Sequence, residues 1–200
     1  MNDYNTIINT NTEVLNNIVS IILERNNISL EQLNNSSNNV LKTYISGLLN
    51  SVKNKDLQLV ILKWDIESHN ELLQMYRNAY VGGELNPDAI GAGFNNGLKP
   101  NTVEERQIKL LEMREEQLAR IEKYAEIEKR FESETKLICE FINLLPQEQY
   151  STVLYATYFK NKTQSVIADE LKIADDTVRT NRFRGIDCLT LIVRAFLRKE

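Results

Sequence analysis

Apolar residues recur along most of this chain at intervals of three and four, the spacing that holds them on one side of an α-helix. In "EVLNNIVSIILERNN" they are Val14, Leu15, Ile18, Ile21 and Ile22. "ISLEQL" follows, with Ser29 three residues ahead of Gln32, so that each side chain can satisfy the other residue's free amide at a helix start. The polar "NNSSNN" interrupts the pattern before "VLKTYISGLLNSV" resumes it. Residues 14–52 thus describe either a helix-turn-helix or a plain helical hairpin. The hairpin is favoured, because Asn34 stands where a small apolar residue would let two helices cross.

"LQLVILKWDIESHNELLQMYRNAY" carries a further stripe of Leu57, Val60, Ile61, Trp64, Leu72, Leu73 and Tyr76, expected to bury one side with Trp64 as a core anchor. Residues 1–80 therefore read as an N-terminal helical domain. Five of the seven glycines and two of the three prolines then fall in "VGGELNPDAIGAGFNNGLKPNT", which marks 81–101 as a linker. Its "GAGFNNG" is no nucleotide loop: the spacing is one residue too long, no strand pattern precedes it, and no Lys-Ser/Thr follows.

Residues 102–145 form the most regular segment, a charged helix that could run ~60 Å at ~1.5 Å per residue. Asn101 or Thr102 can cap it, and Leu111, Leu118, Ile121, Ala125, Phe131, Ile138 and Ile142 mark its stripe. Glu105 and Lys109, Glu116 and Arg120, Glu126 and Arg130, and Glu132 and Lys136 are pairs four apart in the favourable order. The segment fits either a solvated helix packed on its neighbours or a dimerising coiled coil. Pro146 ends it.

Beyond Pro146, "QEQYSTVLYATYF" turns Tyr150, Val153, Leu154 and Tyr158 to one side. Thr163 is a good N-cap for "QSVIADEL", whose Ile167 and Leu171 face a core and whose Ala168 permits a close crossing. "KIA" makes a tight turn with Ile173 at the corner. In the last helix Val178, Ile186, Leu189, Val193 and Phe196 share a face, while Asp176, Thr177, Thr180, Phe183 and Arg184 lie opposite, with Arg179 and Asn181 on the flanks.

Composition points the same way. Few glycines, prolines and aromatics, and long runs of Leu, Ile, Glu, Lys and Asn, imply an all-α protein. No apolar window is long enough for a membrane span, and the N-terminus lacks the pattern of a signal peptide, so a cytoplasmic location, on the nucleoid, is expected. Cys139 and Cys188 have no neighbours at metal-ligand spacing and read as buried small apolar residues, and His69 in "DIESHNELL" reads as solvated or partly packed. No nucleophile and base, metal cluster or carboxylate pair is legible, so no enzyme, metal or cofactor is expected. The net charge of −4 conceals an asymmetry: from Thr177 onward six basic residues face Asp187 and Glu200, a local +4. Arginine near the start of a helix that enters the major groove can bond guanine, and Thr and Phe can meet base edges and thymine methyls. The base-reading candidates are Thr177, Arg179, Thr180, Asn181, Phe183 and Arg184; the phosphate candidates are Lys160, Lys162, Gln164, Ser165, Lys172 and Arg182.

From Leu145-Pro146 through Val153-Leu154, Tyr158-Phe159, Ile167-Ala168, Leu171 and Ile173 to "TVRT", residues 146–200 resemble the region-four helix-turn-helix of bacterial sigma factors and the related LuxR-type modules. With the linker and long helix ahead of it, the chain resembles the phage and prophage transcriptional regulators of the ArpU and RinA type. The resemblance implies a sequence-specific DNA-binding regulator of phage or mobile-element genes, with double-stranded DNA as partner, RNA polymerase as a second, and the 102–145 helix as spacer or homodimer contact. Three departures stand out: Ala174 replaces the usual capping serine, leaving the cap to Asp175; Asp175 and Asp176 put negative charge near the DNA backbone; Arg182 leans inward, within reach of Asp169 or Glu170. An alternative sigma factor and an interaction protein that binds a host factor without DNA are the rival expectations.

Overall fold

The computed structural model describes residues 2–79 and 103–199, so the expected linker at 81–101 lies outside the described residues. What is described is all-α. The helices are α1 (Asn2–Thr10), α2 (Thr12–Asn26), α3 (Leu30–Asn35), α4 (Asn38–Lys53), α5 (Lys55–Ala79), α6 (Val103–Ile142), α7 (Glu148–Tyr158), α8 (Gln164–Leu171) and α9 (Asp175–Leu197), with no strand among the described residues. No helix among those residues is long and apolar enough to cross a membrane.

Local chemistry sets several of these boundaries. Ser29 and Gln32 make the full capping box at the head of α3: Ser29 Oγ accepts from the Gln32 amide at 3.2 Å and Gln32 Oε1 from the Ser29 amide at 2.8 Å. Ser37 caps α4 and Thr163 caps α8 with one such bond each. The chain leaves α2 through Asn27 at φ 49°, a left-handed conformation that asparagine tolerates.

Packing divides the chain into two units, Met1–Lys55 with Phe131–Glu200, and Asp56–Arg130. This differs from the expected split into a domain at 1–80 and a module at 146–200, and α9 is the reason. Its last three turns are buried nearly all round through Leu189, Thr190, Ile192, Val193, Arg194, Phe196 and Leu197. A helix apolar on every side cannot be covered by α7 and α8 alone. α1, α2 and α4 therefore close on it, and Leu15, Ile18, Ile22, Leu41, Ile45 and Leu49 join Ile138, Phe141, Tyr150 and Leu154 in one core. A smaller core of Val153, Ile167, Ala168 and Val178 unites α7, α8 and the head of α9.

Arg194 fastens this arrangement. Its guanidinium donates to Asn38 Oδ1 (3.0 Å), to the carbonyls of Asn34 (3.0 Å), Ser36 (2.6 Å) and Leu33 (3.4 Å), and to Ser36 Oγ (3.3 Å). These carbonyls lie at the end of α3, where a cation is favoured, and the Leu33 carbonyl also accepts from the Ser36 amide and hydroxyl. Burial, and secondly the charge of Arg198, lower its pKa. The α3–α4 turn, which a helix-turn-helix at 14–52 would use to cross its helices, is thereby engaged by α9.

In the second unit α5 runs antiparallel to the first part of α6. His69 Nε2 meets the Met113 carbonyl at 3.2 Å, Gln117 donates to the Ile66 carbonyl at 3.3 Å, and Arg120 pairs with Asp65. His69 is buried, more enclosed than its polar neighbourhood suggests. Expectations for α5 fail on its apolar face: Trp64 is 68% exposed, and Leu57, Val60, Ile61 and Leu72 are exposed with it. The inward residues are Leu62, Ile66, His69, Leu73 and Tyr76. α5 is apolar on two sides, and one antiparallel neighbour covers one. The stripe expected on α6 fails in a related way, with Leu111, Leu118 and Ile121 exposed and Met113, Phe131, Ile138 and Ile142 buried. The six residues from Ala125 to Phe131 turn the helix by roughly two-thirds of a revolution beyond whole turns, so these positions never formed one line. Cys139 and Cys188 are half-buried free thiols, not fully buried ones.

Candidate nucleic-acid interface

α7, α8 and the head of α9 are joined by two short turns. Asn161, at φ 51°, carries the chain from α7 toward the Thr163 cap. Lys172 ends α8 at φ 54°, with its amide shared between the Ala168 and Asp169 carbonyls, and the Ile173 amide bonds the Ala168 carbonyl at 3.0 Å. Gln164 then donates to the Asp175 carbonyl at 2.8 Å, which fixes the start of α8 against the start of α9. Ala174 is the N-cap of α9 and supplies no side-chain bond; Asp175, which the sequence suggested as the cap, is the first residue of the helix.

The first three turns of α9 keep an open face. Thr177, Arg179, Thr180 and Arg184 are exposed along it, and Phe183 is half open at 41%. Its ring is surrounded by cations: the Arg182 guanidinium lies 5.3 Å from the centroid, Lys42 Nζ 5.8 Å and the Arg179 guanidinium 5.9 Å. Asn181, expected as a base reader, is 7% exposed and turned away from this face. It falls between Val178 and Gly185, three and four residues away on the packed side of the helix, which makes it unavailable to a groove.

Among the phosphate candidates, Lys160, Ser165 and Lys172 are exposed. Lys160 extends over the Tyr155 ring, 5.6 Å from its centroid. Lys162 is paired with Glu170 at 2.5 and 2.7 Å, and Gln164 is held by Asp175 as described. Arg182 is half-buried, so its inward lean is real, but it rests over Phe183 while Glu170 is taken by Lys162. Tyr158 nearby is buried, which raises its pKa, while the positive charge of Arg182 works in the opposite direction.

A cavity of about 120 Å³ opens between these elements, lined by Lys53, Thr157, Lys162, Thr163, Gln164, Val178, Arg179 and Arg182. Four of those side chains are cations. Lys53 comes from the end of α4, more than a hundred residues earlier in the chain. Lys42, also on α4, pairs with Asp187 and so offsets an acid that the sequence counts against the basic end of α9. Neither lysine carries a local signal of this role, because only the packing of α4 along α9 brings them here. Among the described residues no group of His, Cys, Asp and Glu could hold a metal ion.

Compared with protein-family models, curated proteins and solved structures, the chain matches none.

Proposed function

We propose that this chain is a non-enzymatic, sequence-specific DNA-binding transcriptional regulator of the ArpU and RinA type, serving phage or mobile-element genes. Thr177, Thr180 and Arg184 read base edges in the major groove, with Arg179 and Phe183 at the margin. Lys53, Lys160, Lys172 and the cations around the cavity hold phosphates on either side. One observation carries this reading: the first three turns of α9 leave Thr177, Arg179, Thr180, Phe183 and Arg184 open to solvent, and at the edge of that surface Arg179 and Arg182 share a cavity with Lys53 and Lys162. Asp175 and Asp176 at its head weaken non-specific attraction to phosphate, so base contacts must supply more of the discrimination.

Selection of bound sequences from random duplex DNA by the full chain, followed by gel shift of the enriched site, tests the proposal. The expected result is one enriched sequence class bound at least ~10³-fold more tightly than unrelated DNA. Absence of enrichment, together with no shifted duplex at micromolar protein and low salt, would overturn it.

A further inference from the structure

The outer face of α5 carries more exposed large apolar side chains than any other helix among the described residues. Leu57, Ile61, Trp64, Leu72 and Met75 follow one another at steps of three and four through Ser68, with Val60 beside Ile61, and the exposures of these six apolar residues run from 43% to 68%. They face away from α6, which covers the opposite side through Leu62, Ile66, His69, Leu73 and Tyr76. α6 also leaves Ile108, Leu111, Leu118 and Ile121 exposed, but Arg114 and Glu115 fill the turn between the first pair and the second.

We infer that two copies of this chain associate through the outer faces of their α5 helices. The area carries the inference. Six large apolar side chains, 43% to 68% open, leave on the order of 600 Å² of apolar surface in water. A monomer's largest patch reaches ~300–600 Å², so α5 stands at the limit of what a solitary chain exposes. Two such faces together remove about 1,200 Å² of apolar surface from water, the lower bound for a stable interface before any polar rim is added. The face is also suited to its own copy. Apolar residues at three-and-four spacing form a seam for a second helix of the same pattern, and a two-fold contact closes at the dimer. Ser68, the small member of the row, lies one turn from Trp64, the largest, so the seam offers both a projection and a recess. Dimerisation is thereby placed on α5, where the sequence had suggested the long helix α6, and it does not depend on DNA binding.

Trp64 is the single tryptophan, so its fluorescence reports this face alone. The full chain is followed by sedimentation or light scattering and by tryptophan emission across a dilution series from tens of micromolar to nanomolar. The expected mass is twofold that of the monomer at the concentrated end, with Trp64 emission shifting to the red over the same range in which the mass falls. Ile61→Glu, at a residue 57% exposed, should weaken association at least tenfold while leaving the helical circular dichroism and the melting curve of the dilute protein unchanged. A monomer mass at every concentration overturns the inference, whether Trp64 is red, as for an open face, or blue, as for a face covered by the chain's own residues. So does a dimer that Ile61→Glu leaves intact, since another surface then holds it, and so does a mass that grows past two copies.

Discussion

Replacing Arg194 with methionine removes the guanidinium but keeps most of its stem, and the resulting loss of stability can be worked out from the bonds. Three of the five contacts are well formed, to Asn38 Oδ1, the Asn34 carbonyl and the Ser36 carbonyl, and two are longer. A hydrogen bond from a charged donor contributes ~1.5–3 kcal/mol, and a buried acceptor left without a partner costs ~1–3 kcal/mol. Two effects reduce the sum. The variant no longer has to strip water from a cation, and a cavity of about 290 Å³ beside Asn34, Ser36, Ser37 and Asn38 admits water to the vacated acceptors. The expected net loss is about 2–4 kcal/mol, below or within the ~3–5 kcal/mol seen when one member of a buried charged contact is removed. Urea unfolding followed by circular dichroism measures it as a lower midpoint at unchanged slope. Arg198→Met is the control, because that side chain is exposed and should cost no more than ~0.5 kcal/mol. A loss under ~1 kcal/mol for Arg194→Met, or an equal loss for both variants, would show that the α3–α4 turn is not held by this guanidinium.

Four other outcomes are expected. A fragment of residues 146–200 should fail to fold, since Leu189, Ile192, Val193, Phe196 and Leu197 would lose α1, α2 and α4; a cooperative melt of the fragment would contradict this. Gly185→Val should lower stability by ~1–3 kcal/mol, because a Cβ at Gly185 already lies 3.1 Å from Leu154 Cδ1 and 3.3 Å from Tyr150 Cβ at the α7–α9 crossing, leaving no room for a branched side chain. Tyr158 has a folded pKa raised above 10.0 by burial, so its contribution is complete below about pH 10 and is lost as pH climbs through the raised value. Tyr158→Phe should therefore flatten the fall in urea midpoint between pH 9 and 11 (about one unit either side of an ordinary tyrosine), and an unchanged fall would refute the assignment. On a selected DNA site, Arg184→Ala should cost ~1–3 kcal/mol and relax specificity, whereas Lys53→Gln should weaken all sequences alike and reduce the salt slope by about 1; equal behaviour of the two would erase the division into base and phosphate contacts.

How much of this was legible in the sequence depended on how far each residue's fate is decided by its near neighbours. The all-α class, the Ser29–Gln32 box, the Thr163 cap and the α7–α8–α9 succession follow from spacing and capping chemistry within a few residues, and the structure bears out the class and those caps. Trp64 was misplaced because periodicity says that a helix has an apolar face, not that anything covers it. Asn181 was misplaced because a polar side chain two residues past Arg179 looks accessible until Val178 and Gly185 are seen to carry its side of the helix into the core. Arg194 was counted among the charges available to DNA, yet it is buried by a turn 160 residues away, a partner that no local pattern could supply.

The same long-range packing changes how the proposed recognition helix α9 has to be understood. Its head carries an exposed polar, arginine-bearing face, while its tail is the central element of the larger core, and one continuous helix joins the two. Any loosening of α1, α2 or α4 on the tail should therefore tilt the head. Lys42 strengthens that linkage, since it pairs with Asp187 and rests over Phe183, touching the open face from the helix that also packs on the tail. Lys42→Met consequently tests coupling as well as charge. If α4 only lends a cation, DNA affinity should fall slightly and return at lower salt; if α4 also sets the position of the head, specificity for the selected site should fall at every salt concentration. The Phe183 ring, held among Lys42, Arg179 and Arg182, favours the second outcome, because losing one of three cations around a half-exposed aromatic frees the ring to turn. Specificity that follows wild type at all salt concentrations would leave α4 as a source of charge alone.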